Sequence, residues 1–218
     1  MLLCRLRYKL SFRDIAEFFL LQRFEFTHET VWDWEERFAS IFAQQLRAKR
    51  QGKVGKSWLV DETYIRVKGQ WCYLYRGIDE DGNLVNVRLS EKRDMEAAKV
   101  FFAQAHEVAE QPPHRVATDG HTRYPRAIAE ELGEGVEHEG RDCRGNPIEQ
   151  SHRGIKQCYY PMLGFGGFES ARRFCQAHNE VRNFMRVQRY MTKVVSLSAR
   201  REQFTERVNE LQAIFQAA

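Results

Sequence analysis

Ser57 to Gly69 (S-W-L-V-D-E-T-Y-I-R-V-K-G) is the stretch that most limits what this chain can fold into. Its β-branched and aromatic residues favour an extended backbone, and side chains alternate across a pleated strand. Leu59, Asp61, Thr63, Ile65 and Val67 therefore share one face, where Asp61 is the ionisable member of an otherwise mostly apolar row. A carboxylate in such a row costs free energy unless it is wet, protonated, paired or bound to a cation. Asp61 thus either sits at a frayed, solvated strand end or belongs to a site that compensates it. Glu62 points to the opposite face and is not expected in the same ligand set.

Two further carboxylates favour a site. V-A-T-D-G (Val116 to Gly120) reads as a short strand ending in Asp119, with Gly120 providing the turn. N-P-I-E-Q-S-H-R-G-I-K-Q (Asn146 to Gln157) opens a helix, with Asn146 as N-cap, Pro147 at the first helical position and Glu149 in the first turn. A capping box would use Glu149 in the same place. Yet Glu149, His152, Arg153 and Lys156 fall on one helical face, while Ile148, Ile155 and Tyr159 line another. One acid among cations suits a site where oxygen ligands from different elements hold metal beside a polyanion.

With these motifs in order, the chain resembles the DDE transposases of the ribonuclease H-like superfamily, and within them the insertion-sequence family numbered six. The matching residues are Trp58 to Asp79 (W-L-V-D-E-T-Y-I-R-V-K-G-Q-W-C-Y-L-Y-R-G-I-D), T-D-G at Thr118 to Gly120, N-P-I-E-Q-S-H-R-G-I-K at Asn146 to Lys156, and P-M-L-G-F at Pro161 to Phe165. F-E-S-A-R at Phe168 to Arg172 follows them, and L-S-F-R-D-I at Leu10 to Ile15 precedes them. The resemblance implies Asp61, Asp119 and Glu149 as catalytic triad and metal ligands, with Lys156 as a basic companion. It also implies terminal inverted repeats and a target DNA duplex as substrates, a homo-oligomer and replicative joining. The Asp119 to Glu149 interval is shorter than the family's usual one, so a trimmed loop is expected before the helix.

Charge is distributed to match. The net charge is only +4, but residues 1–56 and 149–218 are basic and flank an acidic middle. Cations in the middle and phosphates on the flanks fit that pattern, although an ordinary charged surface can produce it. No apolar run approaches a membrane span, and the first ten residues are broken by Arg5, Arg7 and Lys9, so a cytoplasmic protein without a membrane partner is expected. Five cysteines, an odd number without C-x-x-C spacing, read as free thiols.

The order of elements predicts a fold. Ser11 caps a helix carrying Phe12, Ile15, Ala16 and Phe19, and a second helix from about His28 carries Val31, Trp34, Phe38, Ile41 and Phe42. Residues 1–50 thus form a helix-turn-helix module for DNA, or a helical hairpin that serves packing alone. Acidic Glu29, Asp33, Glu35 and Glu36 weigh against base reading by the second helix. Thr27, His28 and Thr30 are placed to touch DNA, and Arg5, Arg7, Lys9 and Arg13 to hold phosphates. A basic linker is expected at 51–56 and a ribonuclease H-like α/β core at 57–190, a mixed five-stranded sheet with flanking helices. Its strands are Trp58 to Val67, Trp71 to Ile78, Leu84 to Leu89, Val116 to Asp119 and Val136 to Glu139. A helical tail at 191–218 repeats Phe204, Val208, Leu211 and Phe215 as a docking face.

The expected activity is therefore DNA strand cleavage and transfer, in which Mg²⁺, with Mn²⁺ as a substitute, is held by Asp61, Asp119 and Glu149. His152, Arg153 and Lys156 are expected to hold phosphates. A non-catalytic DNA-binding regulator and a nuclease of the same fold are the alternatives. A zinc deaminase is not supported, since H-x-E with P-C-x-x-C is absent.

Overall fold

The computed structural model describes residues 1–140, 147–186 and 195–216. Three antiparallel strands come first: β1 (Ser57–Val67), β2 (Gln70–Asp79) and β3 (Leu84–Ser90). Lys68 and Gly69 close the first hairpin with φ of 49° and 77°, the left-handed backbone that a two-residue hairpin turn requires. β4 (Arg115–Thr118) and β5 (Glu137–Gly140) then add in parallel, giving the sheet order β3-β2-β1-β4-β5. This is the mixed five-stranded sheet with flanking helices that the sequence pattern predicts.

Helices cover both faces. Eight are described: α1 (Leu2–Leu6), α2 (Phe12–Leu20), α3 (His28–Lys49), α4 (Met95–Ala109), α5 (Arg123–Leu132), α6 (Pro147–Tyr159), α7 (Phe168–Phe184) and α8 (Leu197–Gln216). On one face, α4 and α5 bury Phe101, Phe102, Tyr124 and Ile128 against Trp58, Val60 and Val116. On the other, α1, α3, α6, α7 and α8 bury Leu6, Phe42, Ile155, Phe174 and Leu211 against Ile65, Val67, Leu74 and Val87. The alternation of β1 explains the division: Trp58 and Val60 serve the first core, Ile65 and Val67 the second.

Several local expectations are met by visible chemistry. Ser11 caps α2 in a capping box with Asp14, and Asp94 caps α4 by accepting from the Ala97 amide at 2.9 Å. Others are corrected. The buried stripe of α3 is Val31, Glu35, Ala39, Phe42, Ala43 and Leu46; of the face expected from the sequence, Val31 and Phe42 lie on it, whereas Trp34, Phe38 and Ile41 are only half-buried. Glu35 is drawn inward because Arg173, 4.0 Å away, compensates it. Helix α1 had not been expected; His178 of α7 bonds the Leu6 carbonyl through Nδ1 at 2.8 Å.

The N-terminal helices and the sheet share a core. Arg50 pairs bidentately with buried Glu180 at 2.7 Å and donates to the Leu84 and Val85 carbonyls. Residues 51–56, expected as a linker, are fastened to the core: Gly52 donates to the Val108 carbonyl and Gly55 to the Asp79 carboxylate. In the tail, Leu211 is buried while Phe204 and Val208 pack on the same core. Asn146, the expected cap of α6, and Cys143 lie outside the described residues, as does the side chain of Phe215. The described cysteines Cys4, Cys72, Cys158 and Cys175 are free thiols. Among the described residues, no helix is long and apolar enough to cross a membrane.

Candidate active site

The site forms where the parallel pairing of β1 and β4 runs out. Leu59 stands opposite Ala117, so Asp61 and Asp119, each two residues further on, end up side by side at the carboxyl end of β4. Beyond Asp119 the chain must turn at once. Gly120 does so with φ of 78°, and its Cα would lie 3.1 Å from a Cβ at Gly140, so both positions favour glycine. Oxygens of Asp61, Glu62 and Asp119 lie within 4.8 Å of one another, a cluster of three carboxylates able to hold a metal ion.

The three acids differ in their surroundings. Asp61 is pushed up to about 6, first by burial and then by the charge of Asp119, with Arg93 and Lys156 opposing and Glu149 adding to the rise. Its Oδ1 accepts from the Glu62 amide at 2.8 Å. Glu62, with a side chain only 4% exposed, is ion-paired to Arg123 and to Arg93 at 2.7 Å, and accepts a hydrogen bond from the Tyr124 hydroxyl. Asp119 accepts from the His121 amide at 3.0 Å and from Arg93 Nη2 at 3.2 Å. Arg93 thus bridges Glu62 and Asp119 from the loop between β3 and α4.

Helix α6 lies along the Asp61 face. His152 is buried, with Nδ1 3.7 Å from Asp61 Oδ2, and burial together with Arg76, Lys156 and Arg182 lowers it to about 3. It is a neutral imidazole against Asp61, which corrects the expectation that it holds phosphate: no surface remains for that. Glu149 is exposed on the first turn of the helix and close enough for its charge to reach Asp61. Arg153 is exposed and Lys156 half-buried on the same helix. Arg76, directly opposite Asp61 on β2, is fully buried, bonded to Asn179 and lowered to about 9 by desolvation.

Residues 55–188 match the family described as a DDE domain, of the IS240 transposase type. The chain belongs to the DDE transposases. It is 35% identical over 155 residues to the transposase for insertion sequence-like element IS431mec of Staphylococcus aureus strain Mu50, covering 69% of this chain and 68% of that one. Identity and coverage are the same for the transposase of insertion sequence element IS257 in transposon Tn4003 of Staphylococcus aureus. Among solved structures, the HTLV-2 integrase catalytic core domain in complex with magnesium superposes with a TM-score of 0.45 at 14% identity, covering 68% of this chain and 95% of that one. As a member of the DDE transposases it is an enzyme of DNA strand cleavage and transfer, a polynucleotidyl transferase.

Its donor set suits a divalent cation, because clustered carboxylate oxygens are hard ligands and, among the described residues, the ion-pair contact of Asp61 is the neutral His152 ring and not a lysine or arginine. Sequence reasoning had put Glu62 on the opposite face. Its ion-pair partners do come from α5 and from the loop before α4, yet its carboxylate still reaches the cluster. Arg93 and Arg123 were missed altogether, since nothing in the local pattern distinguishes them from surface cations. The N-terminal residues are dispersed. Arg5 correlates poorly with a phosphate role: it is packed over Phe12 at 4.4 Å and donates to the Leu10 carbonyl. Arg7 lies over Phe204, Lys9 donates to Gln157 at 2.9 Å, and Arg13 is exposed. Thr27 is exposed at the start of α3, followed by half-buried His28 and Thr30, and His28 pairs with Glu29 at 3.1 Å.

Proposed function

We propose that Asp61, Asp119 and Glu149 are the transposase's metal-binding triad, that the cation is Mg²⁺ with Mn²⁺ as substitute, and that the enzyme works as a homo-oligomer on terminal inverted repeats and a target duplex. The observation carrying this reading is the meeting of Asp61 and Asp119 just beyond the last parallel pair of β1 and β4, with α6 laid along Asp61. When bound, the cation supplies Lewis-acid activation of the attacking oxygen and stabilisation of the leaving one. This chain's residues do the rest. Asp61 and Asp119 set the place of the reacting phosphate from the sheet, and Glu149 approaches from the helix. Buried His152 keeps Asp61 turned toward the cluster, and Glu62 is a positioning residue that fixes Arg93 and Arg123. Lys156 and Arg153, on the helix bearing Glu149, face the DNA backbone as phosphate contacts.

Residues 1–50 are proposed to recognise the repeats through α2 and α3, although the packing of α3 into the core makes them part of the scaffold as well. The test is a single-turnover assay with labelled repeat ends, both uncut and pre-cut, and Mg²⁺. Glu149→Gln is expected to abolish joining while leaving the fold intact. A Glu149→Gln enzyme that joins ends at the parental rate overturns the triad, and a parent that cuts but never joins marks a nuclease.

A further inference from the structure

The α4/α5 face of the β1–β2 hairpin changes character beyond the acids. Trp58 and Val60 are buried under the helices with Tyr75, the partner of Glu62 across the hairpin. Further along, Tyr64 stands opposite Tyr73 and Arg66 opposite Trp71, and Tyr64 and Trp71 are 50% and 56% exposed. Their rings form one strip: Tyr64 and Tyr73 centroids lie 5.4 Å apart, and Tyr64 and Trp71 meet edge to face at 6.2 Å. The Arg66 guanidinium lies over Trp71 at 5.6 Å, and exposed Lys68 closes the turn. Large rings held half in water cost apolar hydration that burial elsewhere would recover.

We propose that this strip is a stacking platform for unpaired bases of single-stranded DNA. Rings that every base can stack upon, interleaved with cations that meet the backbone, are the composition single strands bind. A second copy of the chain is the other natural occupant, but its interface core would have to bury Arg66 and Lys68, whereas interface cores are depleted in lysine. The strip is also continuous with the acids, since Tyr64 follows Glu62 by two residues on the same face, about 7 Å along the strand. The Glu62 carboxylate, which reaches the Asp61 and Asp119 cluster, thus marks the edge at which a strand opened at the cleavage site would meet the rings. That role in the reaction rests on the strand-transfer reading above, whereas the binding itself does not.

The test uses the full chain in metal-free buffer with a fluorescent oligothymidine of about twelve nucleotides, read by anisotropy at fixed salt, beside a blunt duplex. Tyr64→Ala and Trp71→Ala are each expected to weaken oligothymidine binding about five-fold or more, and Tyr64→Phe and Trp71→Phe to stay within about two-fold, because the ring is what stacks. Duplex affinity is expected to hold in all four. The proposal is overturned if the parent does not bind oligothymidine, or if both alanine variants bind it as the parent does. It is equally overturned if the phenylalanine variants lose as much as the alanine ones. Sedimentation of the same variants identifies the rival occupant: loss of self-association with unchanged oligothymidine binding assigns the strip to a second copy. Since no metal is present, failure of joining by the triad leaves these outcomes readable.

Discussion

On one face of β1, Glu62 meets two guanidinium groups and a phenol; on the other, one residue earlier, Asp61 meets a neutral imidazole and the charge of Asp119. Both carboxylates are largely buried, and burial penalises charge in either place. What differs is compensation. Glu62 is fastened into the protein as an ion, whereas Asp61 is held partway to protonation, at about 6. A compensated acid is structural and an uncompensated one awaits a cation, so two adjacent residues of the same chemical type serve different ends.

The largest test of that difference is Glu62→Ala. It leaves Arg123, with a side chain only 5% exposed, without its counter-charge, and breaking a buried pair from one side costs about 3–5 kcal/mol. Urea unfolding should show that loss, and Arg123→Met in the same chain should recover much of it. A Glu62→Ala protein as stable as the parent would remove the structural role assigned to Glu62.

Asp61→Asn should act in the opposite direction. Because the folded state holds the Asp61 proton more tightly than the unfolded chain, the acid costs nothing at pH below its ordinary value of 3.8. Its cost grows as pH rises and is complete above about 6. In metal-free buffer the variant should therefore match the parent near pH 3 and exceed it near pH 7, by at most about 3 kcal/mol. It should also lose most of the stabilisation that Mg²⁺ or Mn²⁺ gives the parent. Thermal melts across that pH range with and without metal provide the measurement, and a variant less stable than the parent near neutrality breaks the comparison.

Asp119→Asn sharpens it. Arg93 already sits on Asp119 at 3.2 Å, both side chains being about a third exposed, so removing this acid should change metal-free stability by less than about 1 kcal/mol. Arg93→Ala should meanwhile raise Asp61 further, since Arg93 is the first cation lowering it, and carbon-detected NMR titration of the Asp61 carboxyl would show the movement. The smallest effect is expected from Lys156→Ala, which should reduce the salt slope of DNA binding by about one while leaving the fold untouched. An unchanged slope would make Lys156 an ordinary surface charge.

The sequence was enough to predict the alternation of β1, the strand ending at Asp119 and the polar face of α6. Those signals are local, because a pleat repeats every two residues and a helix every 3.6, and the chain carries both periods in plain view. The surroundings of the acids were not legible in this way. Tyr124 reaches Glu62 across 62 residues, Arg93 reaches it across 31 and Asp119 across 26, and no periodicity records such pairings. Burial of His152 against Asp61, the inward turn of Glu35 and the packing of Arg5 over Phe12 likewise depend on which helices meet. The sequence by itself determined where carboxylates could stand along the strands and the helix. Only the tertiary structure decided which of them would be neutralised, because a buried charge is governed by the cations and dipoles that distant segments bring within a few ångströms of it.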